Sequence, residues 1–556
     1  MAIDNPPPGD EDESPEASYA VQDLDHLGLV AGLVDELGLV ERVDQLIPQD
    51  SRQRYLSVGQ IVKAMILNGL GFTQRVLYLT PRFFRDKPLE RLLGPGIEAS
   101  HLNDDTLGRA LDVIYEYGPT KLFVPLAAQA VGRLGLNGKI GHLDATSLHV
   151  DGGKSPEKVE EGVIRLTPGY SRDHRPELAQ VVVQFICENQ AGIPIFMKSL
   201  SGNSNDKSDF RETVSNHIKQ LKTEVDLEYL VADSALYTEK TLKELNEVGW
   251  ISRVPETLDL ARELSKSVGM EFTEKELAEN ELSYRSICVS YGGIRQRWLV
   301  MYSQAARERA EKNLKKQQAS LGEKEAKAFE RLQREAFACK ADAEAALSKF
   351  CKQLKVTEVH ESDIQSVPRY LGKGRPTKDQ PADFHEFFIK GGIVSRMDMY
   401  YEKRAQKSTF IIATNELDTE KLTDSRLIEI YKKDQQKVER GFRFLKDPMF
   451  CASTLFLKSE KRIMALLMIM TLCLLVYAAI EWRIRQALQN SEKDFPDQKG
   501  KKTKKPTARW VFQYFSGIRL LTIKGIQTTV LGLDKAQKDL LYLLGHQYVK
   551  LYVSSA

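Results

Sequence analysis

Cysteine is scarce and unpatterned in this chain. The six cysteines (Cys187, Cys288, Cys339, Cys351, Cys451 and Cys473) form no CxxC pair, which argues against thiolate zinc sites and a dithiol redox motif. Cys187 and Cys473 lie in the apolar runs FIC and TLCLLV, where a thiol acts as a small hydrophobe. No basic-then-apolar segment opens the sequence, so a reducing cytoplasm is the expected compartment. A charge excess is also lacking: the formal net charge is +2, and any contact with a polyanion must be local. Long apolar runs are missing with one exception, Ile463–Ile480, 18 residues without a charge. That is the lower length for a membrane span. Charged flanks and the absence of a second such run favour a buried core helix.

At 556 residues the chain exceeds one ordinary core, and a large domain with an accessory domain and an insertion is expected. Residues 1–20, acidic and proline-rich, read as a disordered tail. Residues 21–137 read as an all-α module. Ser57 with Gln60 forms a capping-box signature before Ile61, Ala64, Met65 and Ile66, and Asn103 precedes Leu107, Leu111 and Ile114 at helical spacing. From about Lys139 the pattern turns to short strands (KIGHLDATSLHV, QVVVQFICEN, IPIFMKSL, EYLVAD), which predicts an α/β mixed sheet over 138–256. Residues 257–407 read as a mixed insertion, with strands SICVSYGG and RQRWLVMYS and a helical hairpin from Ala305 to about Leu354. The seven-residue step of Leu314, Leu321 and Ala328 lapses too soon for a sustained coiled coil. FIIATN returns to strand, and 408–490 adds a helix over about 423–446 and the apolar helix. Residues 491–556 hold a basic segment, KGKKTKKPTAR, and the C-terminal region.

Three acidic residues stand out. Asp144 interrupts a strand, and Asp233 ends the apolar strand YLVAD, a position where open α/β sheets place ligands. Taken singly, Asp144 also reads as a turn residue and Asp233 as a helix N-cap. Glu439 lies on a polar helix face with Lys432, Gln435, Arg443 and Lys446, opposite Tyr431, Val438, Phe442 and Leu445. Without further information that face reads as solvated and laced with ordinary salt bridges. His142 and His149 flank Asp144. Only His142 shares its strand face, so both read as structural rather than as zinc ligands.

Four stretches, HLDATSLHVDG, GYSRDHRPELAQVVV with GIPIFMKSLSGNSND, YLVADSALYT, and YKKDQQKVERGFRFLKDP, resemble DDE transposases of the insertion sequence 4 and insertion sequence 1634 families. LVDELGLVERVDQLIP and PTARWVFQYFSGI extend the likeness over most of the chain. The resemblance implies an RNase H-like fold on which Asp144, Asp233 and Glu439 bind divalent metal, with Lys446 seven residues after the Glu. Upstream the signature departs: Gln435 stands where Arg is expected, and Tyr431 is displaced by one. Arg440 and Arg443 supply charge nearby.

The chemistry that follows from the resemblance is phosphodiester cleavage with two Mg²⁺ or Mn²⁺ ions, about 3.5–4 Å apart in such enzymes. Asp144 is expected to bridge the ions, with Asp233 and Glu439 each completing one site. Water nicks the end of a bacterial insertion sequence, and the freed 3′-OH then attacks target DNA. Arg440, Arg443 and Lys446 are candidates for phosphate contact near the acids, and Lys501, Lys502, Lys504 and Lys505 for a more distant one. The latter four equally suit a solvated loop. Recognition of element ends is placed in 21–137, although no clear helix-turn-helix signature emerges there. A homodimer on paired ends is implied by the resemblance, and no membrane partner is expected. The alternatives are a domesticated DNA-binding protein and a nuclease without strand transfer.

Overall fold

The computed structural model describes residues 19–48, 55–72, 79–150, 155, 159–170, 175, 177–204, 206–245, 247–272, 283–372, 380–434, 444, 459–523 and 527–553. The chain forms two compact units, residues 1–251 with 425–556, and residues 252–424.

The described part of the first unit begins with a strand, β1 (Tyr19–Asp23), and the elements described from Leu27 to Arg133 are all helices. The all-α expectation for 21–137 is corrected by β1, whose partner lies near the other end of the chain. The strand also includes Tyr19 and Ala20, which the sequence had assigned to the tail. Residues 1–18 of that tail lie outside the described residues. The expected capping box is present: Ser57 Oγ accepts from Gln60 N, and Gln60 Oε1 accepts from Ser57 N. Asn103 likewise caps Asp104–Tyr117 by accepting from Thr106 N.

Five strands of this unit follow: β2 (Ile140–His149), β3 (Gln180–Glu188), β4 (Pro194–Ser201), β5 (Tyr229–Ala232) and β6 (Gly249–Arg253). Their order in the sheet is β4-β3-β2-β5-β6. β2 and β3 are antiparallel, as are β3 and β4, whereas β2 and β5 are parallel. The sheet is therefore mixed, as the strand pattern predicts. All nine residues of β3 are buried, which is what a strand covered on both faces requires. The chain passes into the second unit within β6.

In the second unit β7 (Tyr284–Tyr291) and β8 (Ile294–Tyr302) form an antiparallel hairpin. Two helices, Gln304–Arg334 and Lys340–Cys351, occupy the stretch in which a helical hairpin is expected. A long antiparallel ribbon follows, β9 (Thr357–Arg369) with β10 (Phe384–Ser395). Both helices pack on the ribbon, sharing with it a small core of Phe329, Ala343 and Ile389. β11 (Thr409–Thr414) returns to pair with β8.

The rest of the first unit is built around the helix Glu460–Gln489. It is the one described helix long and apolar enough to cross a membrane, but 78% of its most apolar stretch is buried inside the protein. Its flanking charges are committed to neighbours. Arg462 forms a two-pronged pair with Asp112, both contacts at 2.8 Å, and Arg483 meets Glu36 at 3.0 Å. The basic segment is less loop-like than expected, because β12 (Phe495–Pro496) pairs with β13 (Lys502–Thr503). β14 (Arg519–Ile523) lies between β1 and β15 (Gln527–Leu531), antiparallel to both. The helix His546–Tyr552 then packs against Leu27–Glu36. Gly28 and Gly32 permit that approach, since a Cβ on them would stand 2.5 Å from the Tyr552 ring and 2.8 Å from the Tyr548 ring.

Candidate active site

The register of the parallel pair locates the site. β2 and β5 match Ile140 with Tyr229, Gly141 with Leu230, His142 with Val231 and Leu143 with Ala232. Asp144 and Asp233 are each the next residue, so they stand side by side on adjacent strands. Alternation puts both side chains on one face, and neighbouring strands lie about 4.8 Å apart. β2 is buried throughout except at Asp144 and at its last residue, His149. The half-buried Asp144 thus marks an opening in an otherwise closed strand.

Each carboxylate is steadied by its own backbone. Asp144 Oδ1 accepts from Ala145 N at 2.7 Å, and Asp233 Oδ1 accepts from Ala235 N at 2.8 Å. The helix that follows Asp233, Glu239–Glu244, is capped by Thr238, whose side chain accepts from Thr241 N. Asp233 is therefore not the cap of that helix, and its position at the strand end has no helix-capping explanation. Two carboxylates at neighbouring register positions offer the hard oxygen donors that Mg²⁺ or Mn²⁺ prefers, so the residues present fit the expected ions.

Other groups near Asp144 are structural. His142 is buried, opposite Cys187 on β3 and Val231 on β5. Burial pushes the Cys187 thiol up, with the charges of Glu188 and Asp144 adding to the effect. Glu188, also buried, caps the turn from β3 to β4, accepting from Gln190 N at 2.6 Å, Ala191 N at 2.8 Å and Ile193 N at 2.9 Å. Burial raises its carboxyl and these N–H groups oppose the rise. It holds backbone, and nothing assigns it to the acidic pair.

The third acid, Glu439, lies outside the described residues, as do Arg440, Arg443 and Lys446. Among the described residues no three His, Cys, Asp or Glu side chains gather as a metal site. The lead-in to Glu439 is described: a short helix, Asp424–Glu429, continues as a π-helical turn, Ile430–Asp434. Burial lowers the Lys432 ammonium within that turn. Farther on, Phe444 is helical and buried, stacked on Tyr477 at 4.5 Å between ring centroids. Phe444 did not belong to the expected apolar stripe. Of the basic residues, Lys501, Lys502 and Lys505 are exposed, whereas Lys504 Nζ donates to Ser491 O at 2.7 Å. The last tie explains part of the order in this segment.

A family model described as the transposase DDE domain matches residues 137–476, more than half of the chain. The chain belongs to the DDE transposases. Residues 19–128 of this transposase match a second family model, a domain of unknown function (DUF4277). No curated protein matches it. Among solved structures it is similar to a piggyBac transposase in a synaptic complex with hairpin DNA, at 9% identity and a TM-score of 0.35, over 90% of this chain and 82% of that one. The assignment rests on the family match.

Proposed function

We infer that the chain is the transposase of a bacterial insertion sequence, of the insertion sequence 4 and 1634 grouping, acting in the cytoplasm. On this reading the mixed sheet is an RNase H-like core, and the enzyme cleaves element ends and joins them to target DNA. The observation that supports it most is the pairing of Asp144 with Asp233 one step beyond Leu143 and Ala232 on parallel strands, inside the stretch matched by the family. Asp144, Asp233 and Glu439 would hold two divalent ions, which when bound polarise phosphate and activate the attacking oxygen. The backbone N–H groups of Ala145 and Ala235 fix the two aspartates beforehand, so little reorganisation remains when substrate arrives. Arg440, Arg443 and Lys446 would neutralise phosphate near the acids. Lys501, Lys502 and Lys505, with Lys504 as their anchor, would meet DNA farther away. Such contacts give affinity that falls with salt and carry no sequence preference. End recognition would lie in the N-terminal helices, and two copies would act on paired ends.

The test is a strand-transfer assay in Mg²⁺ with DNA from the gene's own flanks, comparing wild type with Glu439→Gln. Joined products from wild type alone support the proposal. Nicking without joining points instead to a nuclease, and binding without nicking by either protein to a domesticated DNA-binding protein.

A further inference from the structure

Between β2 and β3 the chain presents a tyrosine almost wholly to solvent: Tyr170 is 85% exposed. An exposed tyrosine on a slack loop needs no explanation. This one stands on a rigid mount. Gln180, fully buried, donates through Nε2 to Gly202 O at 2.8 Å and to Tyr170 O at 3.1 Å. Gln180 N also donates to Thr167 O at 3.2 Å, and Gly202 N to Arg165 O at 3.0 Å. Gly169 lies so close to Gly202 that a Cβ would stand 1.9 Å from its carbonyl oxygen. Residues 165–170 are thus stitched onto the ends of β3 and β4, with a buried amide and two glycines committed to fixing a backbone that carries the exposed Tyr170 side chain.

The mount also has a definite place relative to the acids. Gln180 is the register partner of His149, five residues along β2 from Asp144, at the end of the sheet toward which β5 runs into Asp233. Five residues of strand span about 17 Å, a reach of several nucleotides. An exposed ring on a backbone held there suits stacking on a nucleobase, which is sequence-tolerant because every base has a π-face. Arg165 lies on the same mount, and its buried Nε makes no hydrogen bond among the described residues.

We propose that Tyr170 is a stacking platform for an unpaired base of the DNA strand, several nucleotides from the bond cleaved at Asp144 and Asp233. This rests on the transposase reading given above. The probe is element-end DNA with a single-stranded extension, carrying 2-aminopurine at single positions from the third to the eighth nucleotide beyond the cleavage site. Wild type, Tyr170→Ala, Tyr170→Phe and Tyr170→Trp are compared, with thermal melts as a folding control. Tyr170→Ala should weaken binding about tenfold, within the range of stacking losses on truncation to alanine, and should abolish the fluorescence quenching that wild type shows within that window. Phe and Trp should retain both. If Tyr170→Ala binds within twofold of wild type with unchanged quenching while nicking persists, the stacking role is wrong and the transposase reading stands. If wild type itself neither binds nor nicks the DNA, both fall.

Discussion

The two units are held together differently. In the first, polar contacts join residues far apart in sequence. Arg462 meets Asp112 across 350 residues, Arg519 meets Asp23 across 496, and Tyr548 donates to Glu36 at 2.5 Å across 512. In the second, they are mostly local. Arg307 pairs with Glu311 and Lys327 with Glu323 one helical turn away, while the Glu325 carboxylate reaches no farther than the backbone of Thr357, 32 residues on. Among the described residues the buried centre of the second unit's two helices and ribbon is only Phe329, Ala343 and Ile389. Long-range contacts make a unit cooperative, because none of them forms until both chain ends are in place. Local contacts let parts open separately.

The contrast can be broken most sharply at the acids. Asp144→Asn should reduce single-turnover nicking about a hundred- to a thousandfold, a typical cost of losing a preorganised electrostatic group. DNA affinity, measured by anisotropy, should be unchanged. An equal loss of affinity would mean that the first unit had unfolded instead. Next in size is the long-range closure. Glu36→Ala removes the carboxylate that both Arg483 and Tyr548 meet, and should cost about 2 kcal/mol in urea unfolding. Gly28→Ala should cost about 1–3 kcal/mol, since the Tyr552 ring must move.

Acid should reach the same closure through His26. Its ring packs against both Phe72 and Phe512, at 4.6 and 4.5 Å, and Nε2 donates to Leu70 O at 2.8 Å. Burial pushes its pKa down to about 4, and the Lys87 charge adds to this. The unfolded chain, near 6.5, therefore takes up the proton first. Stability from this group is full above pH 6.5 and falls as pH drops toward 4, by about 3 kcal/mol over that window. His26→Phe should flatten the acid limb of the unfolding midpoint against pH, and an unchanged limb would assign acid sensitivity elsewhere. The smallest global effect belongs to the second unit. Ile389→Ala should abolish hydrogen-exchange protection in β9 and β10 while leaving the main melting transition in place. If the whole protein melts earlier, the second unit is more strongly coupled than its contacts suggest.

What could be read in the sequence follows this division. Caps are local, so Ser57, Gln60 and Asn103 announce their helices before any fold is known. The period-two runs around Asp144 and Asp233 give strands, and strand ends imply a site. The pairing that sets the two aspartates side by side is not local: nothing in either run specifies that β2 and β5 are parallel neighbours in that register. β1 was illegible for the same reason. Its five residues are exposed or half-buried, and its partner begins near residue 519. Lys504 shows the limit for charge, because a basic run has the same composition whether its ammonium groups face DNA or a carbonyl such as that of Ser491. Gln180 lay within a stretch quoted for its family likeness, but no periodicity distinguishes a glutamine that fixes a loop from one that merely faces water.

The 512-residue reach from Glu36 to Tyr548 also sets an order in time. On the ribosome, at about 5–20 residues per second, the helix carrying Gly28, Gly32 and Glu36 emerges on the order of a minute before the helix that covers it. For that interval the face carrying Gly28 and Gly32 lacks the Tyr552 and Tyr548 rings that cover it, and a message cut short before the last helix yields a protein that can never close.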